Sequence, residues 1–136
     1  MSVKIILADD HRIMREGLRA LLEQQSGMEI IAEAEDGRTT VDLAHELKPD
    51  VVVIDISMPD LNGIDATRQI ISAAPHIKVI ALSMHSDRKF VRERLSAGAS
   101  GYLLKDSAFE ELGTALAAVL NNQTYLSPKI ADTVVR

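Results

Sequence analysis

The sequence has no cysteine. That excludes a disulfide framework, a thiolate metal site and a cysteine nucleophile. It also lacks an excess of positive charge: 15 Lys and Arg stand against 20 Asp and Glu, for a net charge of −5. This balance argues against a nucleic-acid-binding surface spread over the domain and against a polybasic membrane contact. No long apolar run occurs. The N-terminal one, Val3 to Ala8, ends in Asp9-Asp10 and is too short and too acidic for a signal peptide or a membrane span. Low-complexity tracts and solenoid-length repeats are absent as well. What remains is an intracellular, cytoplasmic chain whose 136 residues, 46% of them hydrophobic, suit one compact unit with a real core.

The most informative stretch that is present runs from Val51 to Gly63. Val51-Val52-Val53-Ile54 leads straight into Asp55, followed by a loop with Pro59 and Gly63. A continuous β-branched run is the signature of a strand buried on both faces, hence a central parallel strand. A carboxylate at its carboxyl end sits where open α/β sheets keep their ligand sites.

The rest of the chain supplies the frame. Val3 to Ala8 predicts a first strand; Met14, Leu18, Leu21 and Leu22 then mark an amphipathic helix that should stop near Gly27. Met28 to Ala34 predicts a second strand, Asp36-Gly37 a turn, and Val41, Ala44 and Leu47 a second helix closed by Lys48-Pro49. After the strand 51–55, Gly63 opens a helix that Pro75 ends. Ile77 to Leu82 predicts a fourth strand ending at Ser83, and Asp87 caps a helix over 87–95 that stops at Ala97-Gly98. Gly101 to Leu104 predicts a fifth strand ending at Lys105, and Ser107 caps a last helix ended by Asn121-Asn122. A β-α unit repeated in this way, with right-handed crossovers, predicts a doubly wound (βα)5 flavodoxin-like three-layer sandwich with sheet order 2-1-3-4-5.

In that topology Asp9, Asp10, Asp55, Ser83 and Lys105 share one sheet edge. Each has an ordinary reading alone: Asp9-Asp10 as helix-capping acids, Asp55 as a turn residue, Lys105 as a solvated strand end, Tyr102 as core. Their joint placement outweighs those readings. Close carboxylates repel unless a cation sits among them. With hard oxygens as donors and no His or Cys expected on the same edge, the composition selects Mg²⁺ or Mn²⁺ over zinc. A carboxylate beside a divalent cation, an ammonium and a hydroxyl is suited to accept a phosphoryl group.

These residues resemble a known family. Leu7-Ala8-Asp9-Asp10-His11, Asp55 with Met58-Pro59 and Gly63, Ser83, and Gly101-Tyr102-Leu103-Leu104-Lys105 are similar to the response-regulator receiver domain of two-component signalling, over roughly residues 3 to 121. Asp-Asp-His after the first strand and Tyr-Leu-Leu-Lys-Asp at the fifth resemble the NarL/FixJ branch, whose members carry a LuxR-type C-terminal helix-turn-helix. The resemblance implies that Asp55 is the phosphoacceptor for a sensor histidine kinase. It implies a divalent cation held by Asp10 and Asp55 directly, by Asp9 (through water where not direct), and by the Ser57 backbone carbonyl. Ser83 would be the switch hydroxyl, Lys105 its charged partner, and Tyr102 the aromatic that changes rotamer. Ser57 and His85 would line the approach of hydrolytic water. Asp106 stands where many members have Pro, so no cis bond is expected there.

The implied function is a phosphorylation switch, not a turnover enzyme on a separate substrate. Phosphorylation would repack the face formed by the helices at 87–95 and after 107 with the strand between them, and would favour a homodimer. Residues 1–122 would form the receiver, and 123–136 a linker or short appended helix toward an absent C-terminal DNA-binding domain. An Mg²⁺-dependent aspartyl phosphatase is the alternative; such enzymes usually carry their nucleophile after the first strand and add a cap domain.

Overall fold

The computed structural model describes residues 2–58, 60–84 and 97–135, and for 132–135 the backbone alone. Pro59, His85 and the helix expected over 87–95 fall outside the described residues.

The strands are β1 (Val3–Ala8), β2 (Met28–Ala34), β3 (Val51–Asp55), β4 (Lys78–Ser83), β5 (Gly101–Leu104) and β6 (Tyr125–Leu126). The described helices are α1 (Arg12–Glu23), α2 (Gly37–Leu47), α3 (Gly63–Ala73), α4 (Ala108–Leu120) and α5 (Pro128–Val135). All strand pairings are parallel, in the order β2-β1-β3-β4-β5-β6. The five-stranded order expected from the sequence is therefore present, with one further strand at its edge.

β3 explains its own composition. Val51 and Val53 pack with Leu18 and Leu22 of α1 and Leu112, Leu116 and Val119 of α4. Val52 and Ile54 face the other way, against Val41 and Ala44 of α2 and Ala66 and Ile70 of α3. Every β3 residue is buried, so no position calls for a polar side chain until the strand ends.

Helix starts are set by short polar side chains. Asp36 accepts from the Thr39 amide at 2.7 Å, and Asn62 from the amides of Ile64 and Asp65 at 2.9 and 3.0 Å. The Asp36-Gly37 turn thus becomes the cap and first residue of α2. Ser107 departs from expectation: it makes no side-chain cap bond, and a 3-10 turn over Lys105–Ser107 leads into α4 instead.

The sixth strand and α5 lie in the segment expected as a linker or appended helix. Tyr125 and Leu126 pair with Gly101 and Tyr102. The Ser127 amide donates to the Tyr102 carbonyl at 3.0 Å, and the Leu104 amide donates to Ser127 Oγ at 3.1 Å. Ile130 is fully buried in a cluster with Ile56, Ala81, Ala99 and Tyr102.

Candidate functional site

The strand registers bring the expected residues together. Ala8 pairs with Ile54, Asp55 with Leu82, and Ser83 with Leu104. Asp9, Asp55, Ser83 and Lys105 therefore emerge at one height on the carboxyl edge, and all are buried.

Asp55 is completely buried, and its two oxygens have different partners. Oδ1 accepts from the Ser57 amide at 3.0 Å; Oδ2 accepts from Lys105 Nζ at 3.1 Å. The loop behind it is tightly built. A methyl group at Gly63 would lie 2.4 Å from Ile56 Cα and 2.7 Å from the Asp55 carbonyl, so only glycine lets α3 begin here. Asp60 and Leu61 adopt φ of 54° and 89°, the left-handed region that ordinary side chains seldom occupy. Such local strain is tolerated where surrounding contacts hold it.

Asp9 faces the same space. Its Oδ1 accepts from the His11 amide at 2.8 Å. Its buried Oδ2 lies 3.2 Å from Lys105 Nζ but has no hydrogen-bond partner. Its carbonyl accepts from Arg15, which also reaches Glu33 and Glu35 and so braces the end of β1 against β2. Asp10 is exposed.

His11 was missed by the sequence reading, which expected no imidazole on this edge. Its Nδ1 lies 2.9 Å from Lys105 Nζ, 3.1 Å from Asp9 Oδ1, 3.3 Å from Asp10 Oδ1 and 3.9 Å from Asp55 Oδ2. The cause is local: His11 has extended backbone before α1, and its amide is tied to Asp9, which turns the ring back over the carboxylates. The expectation that only oxygen donors line the edge is corrected accordingly.

Lys105 is the cation of the site. Burial works against its charge, but the hydrogen bond and charge of Asp55, followed by those of Asp9, outweigh it. Its ammonium is held above the ordinary lysine value of 10.5. The Lys105–Asp106 peptide is trans. Ser83 and Tyr102 are both fully buried, Ser83 on this edge and Tyr102 within β5 in the cluster that includes Ile130. Ser57 lies in the turn after β3.

Asp9, Asp10, His11 and Asp55 each offer one ligand atom, all within 4.8 Å of one another. Formally, three carboxylates and one ammonium leave two negative charges uncompensated, and Asp9 Oδ2 is a buried oxygen lacking a hydrogen bond. Charge, donors and the orphaned oxygen fit a divalent cation.

A doubly wound parallel sheet with an acidic, lysine-bearing pocket at its switch point defines a flavodoxin-like α/β domain. The family model for the response regulator receiver domain matches residues 5–117, and the chain belongs to that family. It is 38% identical over 135 residues to the transcriptional regulatory protein DegU of Brevibacillus brevis, covering 99% of this chain and 57% of that protein. It thus spans about three fifths of the length of the curated relatives it matches. Among solved structures, a LuxR-family two-component response regulator from Aurantimonas sp. SI85-9A1 superposes with a TM-score of 0.94 at 38% identity, covering 99% of this chain and 96% of that one. The isolated REC domain of RcsB from Salmonella enterica serovar Typhimurium, solved with phosphomimetic BeF3−, gives 0.90 at 27% identity, covering 98% and 99%.

Proposed function

We propose that this chain is an Mg²⁺-dependent phosphorylation switch with Asp55 as phosphoacceptor and a sensor histidine kinase as donor. The observation that carries this reading is Asp55 itself. It is a fully buried carboxylate at the end of the central strand, with Lys105 on one oxygen and the Asp9–Asp10 carboxylates beside it.

An Asp55 oxygen attacks phosphorus, the P–N bond of the donor phosphohistidine breaks, and the leaving imidazole takes up a proton. Lys105, already beside Asp55 Oδ2, compensates charge on the transferred group. Ser83 donates its hydroxyl to a phosphoryl oxygen. Asp9, Asp10, Asp55 and the Ser57 carbonyl are the residues that would hold Mg²⁺, which neutralises charge between the incoming phosphate and the carboxylates.

Phosphorylation adds about −1.5 to −2 charge. Ser83 and Lys105 then gain contacts that the unmodified state lacks, and the pre-existing equilibrium shifts with a change at Tyr102 and β5. The output is homodimerisation and control of a C-terminal DNA-binding domain in a cytoplasmic transcription regulator, with residues 1–122 as the receiver and 123–136 as the connection. No described helix is long and apolar enough to cross a membrane. Incubation with Mg²⁺ and acetyl phosphate is expected to yield one base-labile phosphoryl adduct by intact mass, absent in Asp55→Asn. An adduct that persists in Asp55→Asn, or none in the wild type, overturns the reading. Sustained hydrolysis of a small phosphate ester would instead favour a phosphatase.

A further inference from the structure

We infer that Ser127 is a positioning residue for Lys105: the C-terminal segment closes the ladder at the end of β5 and so fixes where the ammonium stands beside Asp55. The inference rests on Asp55 as phosphoacceptor, as proposed above. It adds to that reaction a residue from beyond position 117, where the receiver match ends.

A serine just before a helix ordinarily caps that helix with its own hydroxyl. Ser127 is buried, and its groups are used otherwise. Its amide donates to the Tyr102 carbonyl at 3.0 Å, which continues the parallel pairing of Tyr125 and Leu126 with Gly101 and Tyr102. The next rung of such a ladder would take the Ser127 carbonyl as acceptor for the Leu104 amide. That carbonyl is occupied: it accepts from the Ile130 and Ala131 amides, both at 2.9 Å, where α5 begins. The hydroxyl replaces it, and the Leu104 amide donates to Ser127 Oγ at 3.1 Å. One side chain thus supplies the rung that the turn into α5 removes. The segment is anchored on both sides of this rung. The Tyr125 hydroxyl donates to Glu111 of α4 at 2.9 Å, and Ile130 is fully buried with Tyr102.

Leu104 is the residue before Lys105. Its inner side is in register with Ser83 of β4, and its outer side has Ser127 as partner. Pairing of β5 with β4 ends there, and the 3-10 turn over Lys105–Ser107 follows at once. From that turn Lys105 Nζ reaches past β4 to Asp55 Oδ2 at 3.1 Å and Asp9 Oδ2 at 3.2 Å. β5 and β3 are two strand spacings apart, about 9.5 Å. One lysine stem and one short Asp side chain fill that span, so a shift at the end of β5 is passed on to the ammonium. Misplacing a reacting group by about 1 Å can cost on the order of a hundredfold in rate. Removing Ser127 Oγ leaves the Leu104 amide without its acceptor, which favours such a shift.

The test is the rate of adduct formation with Mg²⁺ and acetyl phosphate, read by intact mass on the whole chain. Ser127→Ala is expected to slow it at least threefold, and Ser127→Thr, which keeps the hydroxyl, to react faster than Ser127→Ala. Ile5→Val, a core change in β1 away from the carboxyl edge, controls for lost stability and is expected to stay within twofold of the wild type. In a Lys105→Met background, adding Ser127→Ala is expected to change the rate less than twofold, because its effect runs through the ammonium. A smaller slowing in Ser127→Ala overturns the inference. So does a slowing that Ser127→Thr shares in full, that Ile5→Val reproduces, or that recurs undiminished without Lys105. If the wild type forms no adduct, the phosphoacceptor reading itself fails; if it does and Ser127→Ala matches it, only this inference fails.

Discussion

Lys105 stands between two buried carboxylates, and its removal leaves both without their ammonium. In metal-free solution, Lys105→Met is expected to cost about 3–5 kcal/mol, the usual penalty for breaking a buried charge pair. A saturating divalent cation should restore more of the melting temperature in this variant than it adds to the wild type, which differential scanning calorimetry can show. The raised Lys105 value also fixes a pH dependence. A cation held above its ordinary value contributes fully below pH 10.5, and that contribution is lost as pH climbs beyond it. Tyr125 acts in the same direction. Burial first, then its hydrogen bond to Glu111 and the charge of that carboxylate, push the phenol up to about 12. Because the folded state keeps this proton longer, stability should fall between pH 10 and 12. An ultraviolet titration should place Tyr125 near 12, and in Glu111→Gln closer to its ordinary value of 10.0. Asp9, Asp55, Ser83 and Lys105 were legible in the sequence because a polar residue ending a short apolar run marks a strand's edge. His11 was not, because its place depends on the backbone between Asp9 and α1 and on the hydrogen bond that turns it.

At the scale of elements, two joints hold the pocket. Gly63 lets α3 start against the backbone of Asp55 and Ile56. Gly63→Ala forces a methyl group into main chain rather than a flexible side chain. It should cost about 1–3 kcal/mol or more, the range for overpacking, and lower the rate of Asp55 modification. The second joint is the C-terminal segment, where Ser127 is bonded to Tyr102 and to Leu104, the residue before Lys105. Ile130→Ala is expected to cost about 2–5 kcal/mol for an emptied core position. It should also speed hydrogen exchange at Tyr125 and Ser127 before it affects β3. Equal exchange in the two proteins would contradict the contact seen here. The helices α1 to α4 were readable from their apolar periods, and the first five strands from short apolar runs that end at a polar or turn residue. β6 was not: two residues have no period, and what makes Tyr125–Leu126 a strand is pairing with β5. Ser107 makes no cap bond where a 3-10 turn over Lys105–Ser107 precedes α4 and the Ala108 amide donates to the Lys105 carbonyl.

At the scale of the whole chain, 15 Lys and Arg stand against 20 Asp and Glu, for a net charge of −5. This chain alone should show no sequence-specific DNA binding at physiological salt; a tight complex would contradict that. Any cation that binds only the folded state stabilises it by mass action, so the melting temperature should climb steadily with divalent cation concentration.

The short sixth strand has a practical meaning for anyone who trims this domain. β5 is a four-residue strand whose outer backbone groups are occupied by Tyr125, Leu126 and Ser127. A chain cut at residue 122, where the repeating βα pattern ends, would keep the whole pocket yet present β5 as a bare sheet margin beside the uncovered Tyr102 cluster. Unsatisfied strand margins invite pairing with other chains. Self-association of such a fragment would then report on the cut and not on phosphorylation.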